Sequence, residues 1–273
     1  MNDSPSVGRL CIHTITTKPL ALEEAIDTYA AAGVRGVTVW ADAMAQLGPQ
    51  AAGDRIRGAG MQVVSLCRGG FFVSDDKTRR MEAVKATRAM MEDAAQLGAP
   101  HVVLVCGADP AVPLDVARGQ IRDAIETLLP DAERLGVRLA VEPLHPMYAD
   151  TRSAIVTLGQ ANDLVEALAH DSVGVAIDVY HLWWDDALQN EIARCGERIM
   201  AFHVSDWKSP TTDLLNDRGL MGEGCIPIRR IRGWVESAGF LGPIEVEIFS
   251  IARWAGDQRE FVRDIVDAYG AHV

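Results

Sequence analysis

The sequence predicts a closed barrel of eight parallel strands, each followed by a helix, occupying residues 1–273 as a single α/β domain. Three observations carry this reading. Eight short apolar, β-branched segments alternate with eight longer segments whose apolar residues recur at helical spacing. Gly33, Gly60, Gly98, Gly136 and Gly239 each stand just past a helical segment and just before a strand segment, where a left-handed cap position favours glycine. The marks of the competing open sheet are missing: no GxGxxG follows the first strand, which reads Cys11-Ile12-His13-Thr14, and no Walker loop occurs.

In chain order, residues 9–14 form the first strand and 20–32 the first helix, stopped by Gly33. Strand 34–40 follows, then helix 43–59 up to Gly60, strand 62–67, and helix 77–97 up to Gly98. Strand 101–106 leads to helix 114–135, stopped by Gly136, and strand 137–142 to helix 154–170. Strand 173–178, helix 185–195, strand 199–204 and helix 228–238 bring the chain to Gly239. Strand 244–249 and helix 258–269 complete the eighth unit. The strands are apolar nearly throughout, as expected where both faces of a parallel sheet are covered, and eight units is the number that closes a barrel.

Composition narrows the function. With 48% hydrophobic and 23% charged residues the chain is an ordinary globular one, not a disordered or fibrous one. Its length suits one large barrel, and no Pro/Ser-rich linker divides it. A formal net charge of −12 opposes nucleic acid and anionic membranes as partners and leaves a small-molecule substrate open. The five cysteines are odd in number and form no CxxC pair, so neither a disulfide framework nor a thiolate zinc site is written here. Cys11, Cys67 and Cys106 border strands and read as small buried hydrophobes, and Cys67 and Cys106 are not expected to bind metal. The start, Met1-Asn2-Asp3-Ser4-Pro5-Ser6, lacks the pattern of a signal peptide, and no run of about 18 apolar residues occurs. The chain therefore reads as soluble and cytoplasmic, and a homo-oligomer is compatible with it.

In a βα barrel the C-terminal ends of the strands face the active-site mouth. Strand five ends in Val141-Glu142-Pro143, strand six in Ile177-Asp178-Val179-Tyr180-His181, strand seven carries Phe202-His203-Val204-Ser205-Asp206, and strand eight Glu245-Val246-Glu247. Four consecutive strands thus deliver Glu, Asp, His and Glu into one quadrant. Three carboxylates and an imidazole on one point repel unless a cation lies between them, and this donor set suits Mn²⁺, Mg²⁺, Co²⁺ or Zn²⁺. No nucleotide cofactor is expected.

Here the chain resembles the sugar (phosphate) isomerase/epimerase branch of the xylose-isomerase-like TIM-barrel superfamily, which includes ketose 3-epimerases and inosose-processing enzymes. The resemblance is carried by Val141-Glu142-Pro143-Leu144-His145-Pro146, Asp178-Val179-Tyr180-His181, His203-Val204-Ser205-Asp206-Trp207, Gly222-Glu223-Gly224 and the stretch from Gly239 to Glu247. It implies metal ligands at Glu142, Asp178, His203 and Glu247, and substrate contacts at His181 and Arg218. Arg218 lies in a seventh loop, 206–225, too long for a plain connection. Glu245 is expected to face away from Glu247 by strand alternation and to be structural.

The implied chemistry is isomerisation or epimerisation of a keto sugar or cyclitol. The ion acidifies the C–H beside a carbonyl and stabilises the enediolate, while Glu142 and Glu247 flank the substrate, one removing the proton and the other returning it. A metal-dependent dehydratase or lyase on a keto-cyclitol or 3-keto sugar would use the same enolate, with His145 or His13 protonating the leaving group. A non-catalytic binding barrel is the third reading. Among the mouth-side aromatics Trp40, Phe71, Phe72, Trp183, Trp184, Trp207 and Trp254, one or two are expected to stack on the sugar, with Trp184 the candidate. The superfamily's three-zinc DNA-repair endonucleases are disfavoured, because the places of their extra histidines read Cys67-Arg68-Gly69 and Cys106-Gly107-Ala108. No glycine-rich cradle adjoins a helix start, so nothing in the sequence supports a phosphate group on the substrate.

Overall fold

A computed structural model describes residues 6–273. Residues 1–5, on which most of the targeting reading rests, lie outside the described residues. Eight parallel strands close into a barrel in sequence order: β1 (Leu10–His13), β2 (Gly36–Trp40), β3 (Gln62–Gly70), β4 (His101–Val105), β5 (Arg138–Glu142), β6 (Val173–Asp178), β7 (Ile199–Val204) and β8 (Ile244–Val246). The principal helices are α1 (Leu22–Ala31), α2 (Pro49–Gly58), α3 (Lys77–Leu97), α4 (Leu114–Leu135) and α5 (Leu158–Leu168). After them come the one-turn α6 (Val179–Leu182), then α7 (Leu188–Cys195), α8 (Ile228–Ser237), the one-turn α9 (Ile251–Trp254) and α10 (Gln258–His272).

The strand repeat of two sorts side chains between two environments. Leu139 and Val141 of β5, Val175 and Ile177 of β6, and Phe202 and Val204 of β7 join the main core between the sheet and the helices. Ala140, Ala176 and Ala201, at the intervening positions, form a separate buried cluster with Cys67, Val103 and Met200 inside the barrel. Glu142, Asp178 and His203 share the parity of those alanines, so they line the interior one step nearer the mouth. Small side chains beneath them leave room for polar groups above.

Several boundaries differ from expectation for local reasons. Segment 43–59 splits into a 3-10 turn (Ala41–Met44) and α2, because Gly48 sits at φ 77° and Pro49 can only begin a helix. Segment 154–170 becomes helical only at Leu158, where Thr157 caps the start by accepting from the Gln160 amide at 3.2 Å. β8 stops at Val246, and the following residues turn to the seventh loop: the Arg218 amide donates to the Phe249 carbonyl at 2.9 Å. Among the described residues no helix is long and apolar enough to cross a membrane.

Candidate metal centre and adjoining cavity

Strand register brings the predicted donors to one level. Asp178 pairs across the ladder with His203, and His203 with Glu245, two residues before Glu247. One donor atom from each of Glu142, Asp178, His203 and Glu247 falls within 4.8 Å of the others, and all four side chains are buried. Carboxylate oxygens with one imidazole nitrogen are a donor set that fits a hard or borderline divalent ion.

Arg218 enters this cluster from the loop and is only 3% exposed, which settles its position in the site rather than on the surface. Its Nη1 donates to Glu247 Oε2 at 2.8 Å, to Asp178 Oδ2 at 3.1 Å and to the Glu247 carbonyl at 3.2 Å, and its Nη2 lies 3.3 Å from His181 Nε2. The guanidinium packs over the rings of Tyr180 and Phe249 at 4.3 and 4.9 Å. Asp206 shapes the loop: its carboxylate accepts from the amides of Trp207, Gly222 and Ile226, each at 2.9 Å. Asp206 lies in the His203-Val204-Ser205-Asp206-Trp207 stretch, where no local pattern signals its part in ordering the loop.

The electrostatics follow from burial and proximity. Burial opposes ionisation of Glu247, but the charge of Arg218 and the hydrogen bond to His13 outweigh it and hold the carboxyl well below its ordinary value. Burial dominates at Asp178 and lifts it to about 7 despite Arg218. For His203 the charge of Glu245 and the hydrogen bond to Glu142 overcome burial and raise the imidazole to about 10. His181 is pushed well below its ordinary value by burial and by Arg218, so it is neutral at pH 7.

The expectation that Glu245 faces away from Glu247 is overturned. Residues two apart on a strand share a face, and both carboxylates meet the same ring: His13 Nε2 lies 3.2 Å from Glu245 and His13 Nδ1 3.1 Å from Glu247. Glu245 sits one layer deeper, accepting also from Thr38 Oγ1 and, at 3.4 Å, from Ser65 Oγ. Burial opposes its charge, but His203 and His13 keep it ionised, at about 2. His13, gripped from both sides, rises to about 9 against burial.

His181 lies beside Arg218, with its Nε2 3.6 Å from Asp178 Oδ2. Two predicted contacts lie a layer out. His145 is half-buried, with ring centroids 5.6 Å from Trp184 and 5.2 Å from Trp207, and Trp184 Nε1 donates to the His181 carbonyl at 2.7 Å. Cys67 Sγ also falls within 4.8 Å of His13 and Glu247 donor atoms, and burial and the charge of Glu247 push its thiol up well above the ordinary range.

Beside the cluster opens a cavity of about 410 Å³ lined by Trp40, Cys67, Phe249, Lys18, Arg68 and Arg152 among others.

Comparison with known proteins agrees with this fold. The profile described as xylose isomerase-like TIM barrel matches residues 26–265. An inosose isomerase of Halalkalibacterium halodurans is 26% identical over 191 residues, which cover 66% of this chain and 64% of that protein's own length. The crystal structure of protein SMc04130 from Sinorhizobium meliloti 1021 superposes with a TM-score of 0.93 at 42% identity, covering 97% of this chain and 98% of that one. The IOLI protein, solved with a bound zinc atom, superposes with a TM-score of 0.84 at 20% identity, covering 97% of this chain and 99% of that one.

Proposed function

The chain belongs to the xylose isomerase-like TIM barrel family, and we propose that it is a divalent-metal-dependent isomerase or epimerase of a keto sugar or cyclitol. The observation that carries the reading is the convergence of Glu142, Asp178, His203 and Glu247 at the mouth of the barrel. These four side chains would hold the ion. A bound divalent ion would supply Lewis acidity, which would make the C–H beside a ketone removable.

The protein's own groups do the rest. Glu142 ends β5 and Glu247 directly follows β8, three strands on, and the two take and return the proton from opposite sides of the substrate. Arg218 and neutral His181 offer N–H groups to substrate oxygens next to that carbon, and Arg218 keeps Glu247 ionised. Trp184 and His145 wall the mouth and exclude water, with His13 bracing Glu247 from below. Support for a sugar or cyclitol substrate comes from the inosose isomerase relatives.

The test is a screen of keto sugars and cyclitols with Mn²⁺-loaded protein in D₂O, following deuterium at the α-carbon by NMR. At least one substrate should exchange and isomerise, and replacing Glu142 or Glu247 by Gln should slow exchange by about 10²–10⁴-fold. Dehydrated products would assign the protein to the lyases instead. Metal-loaded Gln variants that exchange at the wild-type rate would refute the two-glutamate mechanism.

A further inference from the structure

We propose that the cavity beside the metal centre is an oxyanion subsite, so that the substrate carries a carboxylate or phosphate on the end remote from its ketone. The inference rests on the proposed function for the placing of the ketone, but the subsite stands on its own residues. Arg68 and Arg152 are half-buried and Lys18 stands at the rim. Arg68 lies over the rings of Trp40 and Phe71 at 5.5 and 4.8 Å, Arg152 over Tyr148 at 5.5 Å, and Lys18 over Trp254 at 5.0 Å. Aromatic faces hold these three cations in place without neutralising them.

Among the described residues none of the three has an ion pair or a side-chain hydrogen bond, and Arg68 Nη1 is buried with no partner. Asp42, the carboxylate in the lining, pairs with none of them. Burial and the charge of Arg68 push the Arg152 guanidinium below its ordinary value, so the two arginines feel each other. Part-buried guanidinium groups without a counter-charge are unfavourable. Here they gather in a chain whose net charge is −12. Planar forks of N–H donors match the oxygens of a carboxylate or phosphate, which would satisfy both arginines.

The cavity also has the right neighbour. Its wall includes Cys67, which approaches Glu247, and Phe249, whose ring lies under Arg218. A substrate with its ketone at the carboxylates would therefore extend its far end towards Arg68 and Arg152. The subsite is built from side chains on β3 (Arg68), the loop after β1 (Lys18) and the loop after β5 (Arg152), not from a glycine-rich backbone cradle.

Isothermal titration of the whole protein with inorganic phosphate and with malonate tests this. Wild-type protein should bind at least one of them saturably, one per chain. Arg68→Ala and Arg152→Ala should each weaken binding at least about 10-fold, the loss of one charge-assisted contact, with Mn²⁺ affinity unchanged. Tighter phosphate binding points to a phosphorylated substrate and tighter malonate binding to a sugar acid. Arg68→Gln replaces Arg68→Ala if the latter fails to fold. Failure of both anions to bind saturably, or binding indifferent to both substitutions, overturns the subsite. Failure of Mn²⁺ to bind the wild-type protein overturns the metal reading and leaves the anion result to decide the subsite.

Discussion

Replacing Arg218 by Met keeps the length of the side chain and removes the one guanidinium among three buried carboxylates. In the native protein that group stands 2.8 Å from Glu247 and 3.1 Å from Asp178. At an effective dielectric near 20, each attraction amounts to about 5–6 kcal/mol before desolvation is subtracted. Proton uptake by the orphaned acids recovers part of the loss, and the net penalty should be the roughly 3–5 kcal/mol typical of breaking a buried pair. At about 2–4 °C per kcal/mol for large domains, Tm should fall by roughly 6–20 °C in EDTA at pH 7. Saturating Mn²⁺ should restore more stability to the variant than it adds to the wild type, because the ion takes over the missing countercharge. The deficit should also narrow in acid. Glu247 is held well below its ordinary 4.5 in the folded protein, so its contribution is present above pH 4.5 and is lost as pH falls through the folded value. Arg218→Lys should lie between the two. Scanning calorimetry with EDTA and with MnCl₂ reads all of this, and an EDTA Tm within about 2 °C of wild type would refute the account.

Three further outcomes are expected. Glu245→Gln, which removes the charge shared by His13 and Thr38, should lower unfolding free energy in urea by about 1.5–3 kcal/mol while one Mn²⁺ per chain still binds; loss of the ion would place Glu245 among the ligands. Burial holds His101 at about 4 against its ordinary 6.5, with neither ring nitrogen partnered among the described residues, so the folded chain refuses a proton that the unfolded chain accepts. Stability from this residue is full above pH 6.5 and declines towards pH 4 by about 3 kcal/mol, and urea titrations of His101→Leu at pH 7.5 and 4.5 should show that slope removed. Cys67→Ser should leave metal content unchanged by atomic absorption, since its buried thiol stays protonated; a lost ion would reveal sulfur ligation.

Some elements were legible to the residue. Strands 173–178 and 199–204 and helices 77–97 and 114–135 fall where the sequence predicts them, because long apolar patterns end there at a polar residue or at Gly98 and Gly136, whose φ values are 85° and 65°. Glu245 and Glu247 share a face, against expectation, because the strand repeat of two returns a side chain to the same side after two residues. The early end of β8 was not legible: apolar residues continue to Phe249, and only the competing pairing with the loop at Arg218 draws the chain away.

Local pattern alone determined the barrel and the common level of Glu142, Asp178, His203 and Glu247, because a strand has a constant rise and parity, and a donor placed on one has little freedom left. Tertiary structure decided what surrounds them. Arg218 reaches Asp178 across 40 residues of sequence and Glu247 across 29, on a loop whose path is set by Asp206. His13 meets Glu245 from the opposite end of the chain, 232 residues away. Arg68 and Arg152 share one cavity only because β3 and the loop after β5 end at the same mouth. Long side chains and loops carry no periodic signal, so their positions are set by contacts between residues remote in sequence, and those contacts exist only once the barrel has closed.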